Sequence, residues 1–257
     1  MSASGATHGA EGGFSIEKVH HDLNIWNLPT EPVHFGSIGG FSIDLNMTTI
    51  VFTWVAMAIV LLLAFSAVRG ASVRRPTKMQ AMFEMVFEFL RGLINENMSP
   101  KKGEGIFALI ITYFLFIVTC NIIGLLPTGV APTADHQTTF ALALITFFMM
   151  FYLGIKYKGL GYFKHYLQPF PFFLPITILE DLAKPLTLAF RLFGNMKGKE
   201  VMILALLGLI TGVAQWAGGF MASVVWLGFG LFVSLIQAFV FTMLSIAYFG
   251  MAVHEEH

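Results

Sequence analysis

Charged residues are scarce in this sequence: of its 257 residues, 12% are charged and 56% are hydrophobic. Soluble domains carry about 25% charged residues. With a mean hydropathy of +0.74, this composition excludes an ordinary globular domain and indicates a polytopic membrane protein.

Several signatures of chemistry are also missing. The lone cysteine, Cys120, excludes a disulfide within the chain, and in its apolar run it is expected to be a buried small hydrophobic residue. No histidines are spaced as metal ligands within an apolar segment, and no glycine-rich nucleotide loop is present. The 15 basic and 15 acidic residues balance, which gives no reason to expect nucleic-acid binding. We therefore expect no metal and no cofactor.

Basic clusters predict the topology. A polar N-terminal segment, 1–43, precedes a charge-free stretch that ends at Val68, and Arg69, Arg74, Arg75 and Lys78 follow at once. Lysines also precede the next apolar run and follow the third, whereas the loop 128–137 contains no Lys or Arg. Because basic residues stay on the cytoplasmic side, we expect the N-terminus outside and the C-terminus in the cytoplasm.

The periodicity predicts an all-α polytopic membrane protein with a single membrane domain, 44–257, and about five membrane-inserted helices. The first membrane helix is expected at 44–68, and an amphipathic helix on the cytoplasmic surface follows at 77–97. The four further membrane helices are expected at 105–126, 138–155, 172–212 and 222–252. Gly212, Gly218 and Gly219 suggest a break before the last helix. The charges within 172–212 do not suit a perpendicular span, so we expect this helix to be long and tilted.

Arg191 is the most informative residue. A guanidinium remains charged at physiological pH, and at the centre of a membrane helix it costs about 2.5–3.5 kcal/mol on insertion scales. Thr187 and Asn195 lie one turn to either side and form a polar stripe with it. The stripe favours a functional site; an ion pair between helices or an arginine reaching the interface are the alternatives.

Three further polar residues interrupt apolar sequence. Glu200 is positioned to pass a proton or to pair with Lys197 or Lys199, and Gln237 follows Ser234 in the last helix. A single buried glutamine also serves as a hydrogen-bonding link between helices, worth about 0.6–2 kcal/mol. From the residues alone, both interpretations remain open for Glu200 and Gln237.

Three motifs carry a family resemblance. The run from Leu174 to Met196, LPITILEDLAKPLTLAFRLFGNM, closely resembles subunit a of the F-type ATP synthase. The run IQAFVFTML at 236–244 is similar to the final helix of that family, and NIIGLLP at 121–127 to the end of its second transmembrane helix. The motifs occur in the family's order over about residues 40–254, and the first is closest to the bacterial and chloroplast branch.

The resemblance implies a proton-conducting stator subunit, not an enzyme by itself, with two offset half-channels beside a ring of c subunits. Arg191 would be the family's essential arginine, and Asn195, Glu200 and Gln237 polar positions of its ion pathway, with Thr187 and Ser234 beside them. The implied partners are the c-ring, peripheral-stalk b subunits, membrane lipid and, indirectly, the soluble head. The resemblance also implies that the last two membrane helices are long, tilted and packed against the ring. The implied location is the bacterial plasma (inner) membrane.

Two positions depart from the family pattern. Some members carry a histidine where this sequence has Gly230, and some an aspartate where it has Gly124. Sodium in place of the proton remains open, as do two other functions. A secondary transporter also places an arginine near the midplane, but no internal repeat is found here. A non-conducting scaffold would use Arg191 as a staple.

Overall fold

The computed structural model describes residues 33–38, 41–69, 71–72, 76–126, 131–159, 161–162, 172, 174–208 and 213–253. Within them the chain forms a β-hairpin followed by six α-helices and one short 3-10 turn. The elements are β1 (Val33–Ile38), β2 (Phe41–Leu45), α1 (Met47–Val68), α2 (Lys78–Asn97), α3 (Pro100–Ile123), the 3-10 turn (Pro132–Ala134), α4 (His136–Lys158), α5 (Leu174–Gly208) and α6 (Val213–Val253).

The all-α membrane architecture is confirmed. Four helices, α1, α3, α4 and the part of α6 from Val224, are long and apolar enough to cross a membrane. The hairpin is an addition within the predicted polar segment 1–43 and reaches slightly beyond it. Its strands are antiparallel, with Ile38 opposite Phe41 and Val33 opposite Leu45.

The helices have two distinct ends. The hairpin, the 3-10 turn and the start of α4 lie at one, which we name the turn end; there the Thr49 hydroxyl of α1 donates to Asp135 Oδ2 at 2.8 Å. Asp135 is also the N-cap of α4 and accepts the Gln137 backbone N–H. The other, the basic end, holds α2 and Lys102, whose ammonium donates to the Val253 carbonyl of α6 at 3.2 Å.

Apolar side chains join the helices in three clusters. At the basic end, α2 contributes Phe83, Leu90 and Ile94 to its buried face, and Leu90 and Ile94 pack with residues of α3, α4 and α6. A second cluster joins α3, α4, α5 and α6, and a third joins α1 to α3. The predicted helix at 77–97 therefore buries one face against protein, while Met82, Met85 and Phe89 stay exposed.

The break that glycines suggested near Gly218 is wrong. Helix α6 begins at Val213 and runs to Val253 without interruption, so it starts before the predicted residue 222. Glycines are common in membrane helices because no water competes there for the backbone hydrogen bonds. Helix α5 ends at Gly208 and α6 begins at Val213, and residues 209–212, among them the predicted Gly212, lie outside the described part.

Gly250 provides a test of the packing between α6 and α2. A Cβ added there would lie 2.9 Å from the Asn97 carbonyl oxygen, whereas one at Gly92 would meet nothing within 4 Å. We expect Gly250→Ala to destabilise the protein by about 1–3 kcal/mol, since backbone must move to relieve the overlap. Gly92→Ala is the control and should be neutral or slightly stabilising. Thermal unfolding in detergent measures both, and equal melting temperatures would contradict this packing.

Candidate functional site

Arg191 lies on the exposed side of α5. Its neighbours Leu188 and Leu192 are 1% and 0% exposed and pack into the second apolar cluster, whereas Phe190 and Arg191 face outward. Among the described residues, Arg191 has neither a hydrogen bond nor an ion pair. One of the two alternatives raised by the sequence, an ion pair that joins two helices, thus finds no described partner.

Asn195 and Gln237 meet across the last two helices. The Asn195 Nδ2 donates to Gln237 Oε1 at 2.7 Å, and Gln237 is 3% exposed. Its own Nε2 is buried and has no hydrogen-bond partner in the described part of the chain. An unpaired buried donor costs about 1–3 kcal/mol, so this amide is available to an acceptor from outside the chain or to water.

Lys199 is the residue that the sequence analysis underrated. It was considered there only as a partner for Glu200, but its side chain is buried at 7% exposure and points into the bundle. Its ammonium donates to the Ser234 hydroxyl at 2.7 Å and to the Gly230 carbonyl at 3.4 Å. The sequence could have indicated this from helical geometry alone. Lys199 follows Arg191 by eight residues, which places it about 80° around the helix axis from Arg191, toward the buried side.

The remaining predicted residues are placed differently. The Thr187 hydroxyl donates to the Ala183 carbonyl of its own helix at 2.7 Å, and the residue is exposed on the same side as Arg191. Ser234 is fully buried and accepts from Lys199. The side chain of Glu200 lies outside the described residues, so its role stays a prediction.

A second buried polar group joins α3 to this site. The Asn121 Nδ2 donates to the Ser234 backbone carbonyl at 3.1 Å, and its Oδ1 accepts from the Thr133 hydroxyl at 2.8 Å. Asn121 and Thr133 are both 0% exposed. The sequence analysis used Asn121 only as part of a family motif, because nothing in the sequence indicates that it contacts α6.

The charges near the start of α5 are compensated at the basic end. The Lys184 ammonium lies 2.7 Å from Asp181 Oδ1 and 3.5 Å from Glu180 Oε1. Asp181 is 8% exposed while Glu180 is largely exposed. Polar groups therefore flank Arg191 along α5 on both sides, toward the basic end and toward the turn end.

Both departures from the family pattern have a packing explanation. A Cβ at Gly124 would lie 2.2 Å from Ala131 Cβ and 3.0 Å from Ala131 Cα, so a side chain there collides with the loop backbone. At Gly230, a Cβ would lie 2.8 Å from Leu125 Cδ2 and 3.7 Å from Lys199 Cδ. The space that a side chain at 230 would need is thus partly filled by Leu125 and Lys199.

Gly124→Ala tests this packing. We expect it to destabilise the turn end by about 1–3 kcal/mol, because the loop at Ala131 must shift. Gly105→Ala, within the helix α3 that Gly124 caps, is the control, since a Cβ there meets nothing within 4 Å. The melting temperatures of the two purified variants provide the measurement. A Gly124→Ala variant as stable as Gly105→Ala would mean that the loop yields freely.

Comparison with known proteins gives consistent results. The family model described as ATP synthase A chain matches residues 50–250. ATP synthase subunit a of Desulforamulus reducens is 46% identical, over 98% of this chain and 97% of its own length. Those of Staphylococcus carnosus and Bacillus subtilis are 36% and 35% identical, over 88% and 87% of this chain and 98% of each relative. The chain therefore belongs to the ATP synthase A chain family.

Proposed function

We propose that this chain is the proton-conducting stator subunit of an F-type ATP synthase. Membership of the family gives the coarser role, that of an integral membrane subunit in the stator of this complex. The finer proposal is that Arg191 faces a ring of c subunits and separates two offset half-channels. The observation that carries it is an arginine on the outward face of a largely apolar helix with no described partner inside the chain.

An arginine in this position calls for a partner protein. Charge is costly in hydrocarbon, so intramembrane arginines face protein or water and pair with an acceptor. Around Arg191 the outward face also exposes Leu186, Phe190 and Val201, which suit contact with an apolar partner helix. A ring carboxylate arriving opposite Arg191 would supply the missing negative charge.

The same face allows close approach. Small side chains lie along it at helical spacing: Ala183, Thr187, Gly194 and Gly198, all of them exposed. A Cβ at Gly194 or Gly198 would meet nothing within 4 Å. Small residues let two helix backbones come near each other in a membrane, so a partner's carboxylate could reach the level of the guanidinium.

The mechanism follows from charge and solvation. A carboxylate on the ring stays neutral while it faces lipid, because a bare charge there is costly. Opposite Arg191 the ionised form is favoured, and its proton leaves toward one side. Since a guanidinium does not give up its own proton, Arg191 prevents direct passage between the two half-channels. The membrane potential then biases rotation by about 2.3 kcal/mol per charge per 100 mV.

The polar groups on either side of Arg191 support two separate paths. Asp181 and Lys184 lie toward the basic end, and Asn195, Gln237 and Lys199 lie toward the turn end. The free Gln237 Nε2 donor adds a buried group able to bind water or a carboxylate. We assign Glu200 and Ser234 to the path on the turn-end side and the Thr187 position to the ring-facing surface. Peripheral-stalk b subunits are further proposed partners.

Arg191→Ala tests the proposal. We expect the complex to assemble with its ring but to lose proton-driven ATP synthesis, because nothing then separates the half-channels. Arg191→Lys should also fail, since an ammonium deprotonates when desolvated. Synthesis is measured in proteoliposomes with an imposed proton gradient and normalised to co-purified c subunit.

Arg69→Ala is the matched control for these variants. Arg69 follows α1 and lies over the Phe65 ring, outside the proposed site, so its variant should remain active. Normal coupled synthesis by Arg191→Ala would overturn the proposal. Loss of the ring from the Arg191→Ala complex would favour the alternative of a non-conducting scaffold. Substrate-specific uptake by the chain without a ring would favour the alternative of a secondary transporter.

Glu200→Gln tests the ion pathway separately. The substitution removes a group that can ionise while keeping the size of the side chain, so proton flux should slow and the protein should remain in the membrane. Flux is measured with a pH-sensitive dye in vesicles stripped of the soluble head, with Glu180→Gln at the basic end compared in parallel. Unchanged flux in Glu200→Gln would remove this residue from the pathway.

Cysteine labelling tests the orientation. In a Cys120→Ala background, cysteines in the 128–137 loop or the N-terminal segment should react with an impermeant reagent from outside, and those at 70–78, 157–164 or after His254 from the cytoplasm. The reason is the basic residues on one side of the helices. Labelling of the C-terminus from outside would contradict the proposal that α5 and α6 return the chain to the cytoplasmic side.

A further inference from the structure

A continuous set of buried hydrogen bonds runs from the turn end to Lys199. Thr133 donates to Asn121, Asn121 donates to the Ser234 carbonyl, and Lys199 donates to the Ser234 hydroxyl, at 2.8, 3.1 and 2.7 Å. Thr133, Asn121 and Ser234 are each 0% exposed. The proposed function uses the inner part of this set and leaves Thr133 and Asn121 without a role.

The bonds of Thr133 and Asn121 differ from those of three other buried threonines. The hydroxyls of Thr119, Thr139 and Thr242 are satisfied by carbonyls at or near their own helix, three or four residues away. Asn121 instead reaches α6 across 113 positions of sequence. A buried group that needs only to be paired can use the nearest carbonyl, so the long-range bonds fix one element against another.

Ser234 transmits this restraint to Lys199. Its hydroxyl donates to the Gly230 carbonyl at 2.6 Å, which directs a lone pair toward the Lys199 ammonium. The same Gly230 carbonyl is the second acceptor of Lys199. Because Asn121 holds the α6 backbone at Ser234, it sets the place of both acceptors without touching the lysine itself.

We propose that Asn121 and Thr133 are positioning residues that hold the Lys199 ammonium at a fixed place in the turn-end half of the ion pathway. This inference rests on the proposed function. The Asn121 amide links the short turn at Pro132–Ala134 to the polar groups between α5 and α6. Removing the Thr133 hydroxyl leaves Asn121 Oδ1 unpaired and frees the amide to rotate, so Ser234 and Lys199 lose their fixed geometry.

The first measurement is spectroscopic and does not depend on activity. In the reconstituted complex with ¹⁵N-labelled lysine, the Lys199 Nζ resonance is identified by its absence in Lys199→Met. Thr133→Val, which keeps the shape of the side chain, should shift this resonance, and Thr133→Ser, which keeps the hydroxyl, should not. Thr139→Val is the matched control, because Thr139 is equally buried and bonds only to nearby carbonyls. An unmoved resonance in Thr133→Val overturns the proposal.

The second measurement is proton flux through the same complexes. Thr133→Val should slow it about tenfold, which corresponds to about 1.4 kcal/mol, while Thr133→Ser and Thr139→Val should match the parent. Equal slowing in Thr139→Val would mean that any buried threonine matters for folding alone, and it would overturn the inference. Undiminished flux in Thr133→Val would do the same.

A failure of assembly is also informative. Should Thr133→Val not assemble, Asn121→Ser carries both measurements, since it removes the amide that joins Thr133 to the Ser234 carbonyl. If neither variant assembles while Thr139→Val does, the hydrogen bonds of Thr133 and Asn121 serve folding, and the proposal is wrong. Arg191→Ala distinguishes a failure of the proposed function from a failure of this inference. If the Arg191→Ala complex still couples proton flow to synthesis, the proposed function is wrong. If that complex is inactive but the Lys199 resonance is unshifted in Thr133→Val, only this inference is wrong.

Discussion

The absence of water in the hydrocarbon core is the constraint on which this structure depends. Every polar group placed there must find a partner within protein, since an unpaired one is costly. Several buried polar side chains follow this rule: Asn121, Ser234 and Lys199 are joined by hydrogen bonds between α3, α5 and α6, and Thr49 bonds to Asp135. Gln237 Nε2 and Arg191 find no partner within the described part of the chain, which is why we propose that another protein completes the exposed face of Arg191.

Helical geometry separates the two cations of α5. Arg191 and Lys199 are eight residues apart, which is about 12 Å along the axis and about 80° around it. That rotation is enough to turn Arg191 to the outward face and Lys199 into the bundle. One helix thus exposes one charge on its outward face and holds a second charge against two acceptors of α6, Ser234 and Gly230.

Packing leaves little room for a side chain at Gly124 and Gly230, the two positions where the resemblance led us to expect polar residues in some family members. At Gly124 the loop carrying Ala131 lies against the helix, and at Gly230 Leu125 and Lys199 occupy the nearby space. The polar side chains that line this region come instead from Asn121 and Lys199. A change in one helix is therefore matched by the neighbours that fill its volume, since close-packed interiors leave few voids.

The sequence by itself determined the membrane class and the order of the helices, and it singled out Arg191 as a candidate site residue, because apolar length, basic clusters and an isolated charge are local properties of the chain. It also predicted helix 77–97 closely, since amphipathic spacing needs no knowledge of neighbours. Only the tertiary structure decided that α6 continues through Gly218, that Asn195 meets Gln237 and that Lys199 is buried against Ser234. These depend on which residues of distant helices come to lie opposite each other, and that pairing is set by packing across the bundle, which no local pattern records.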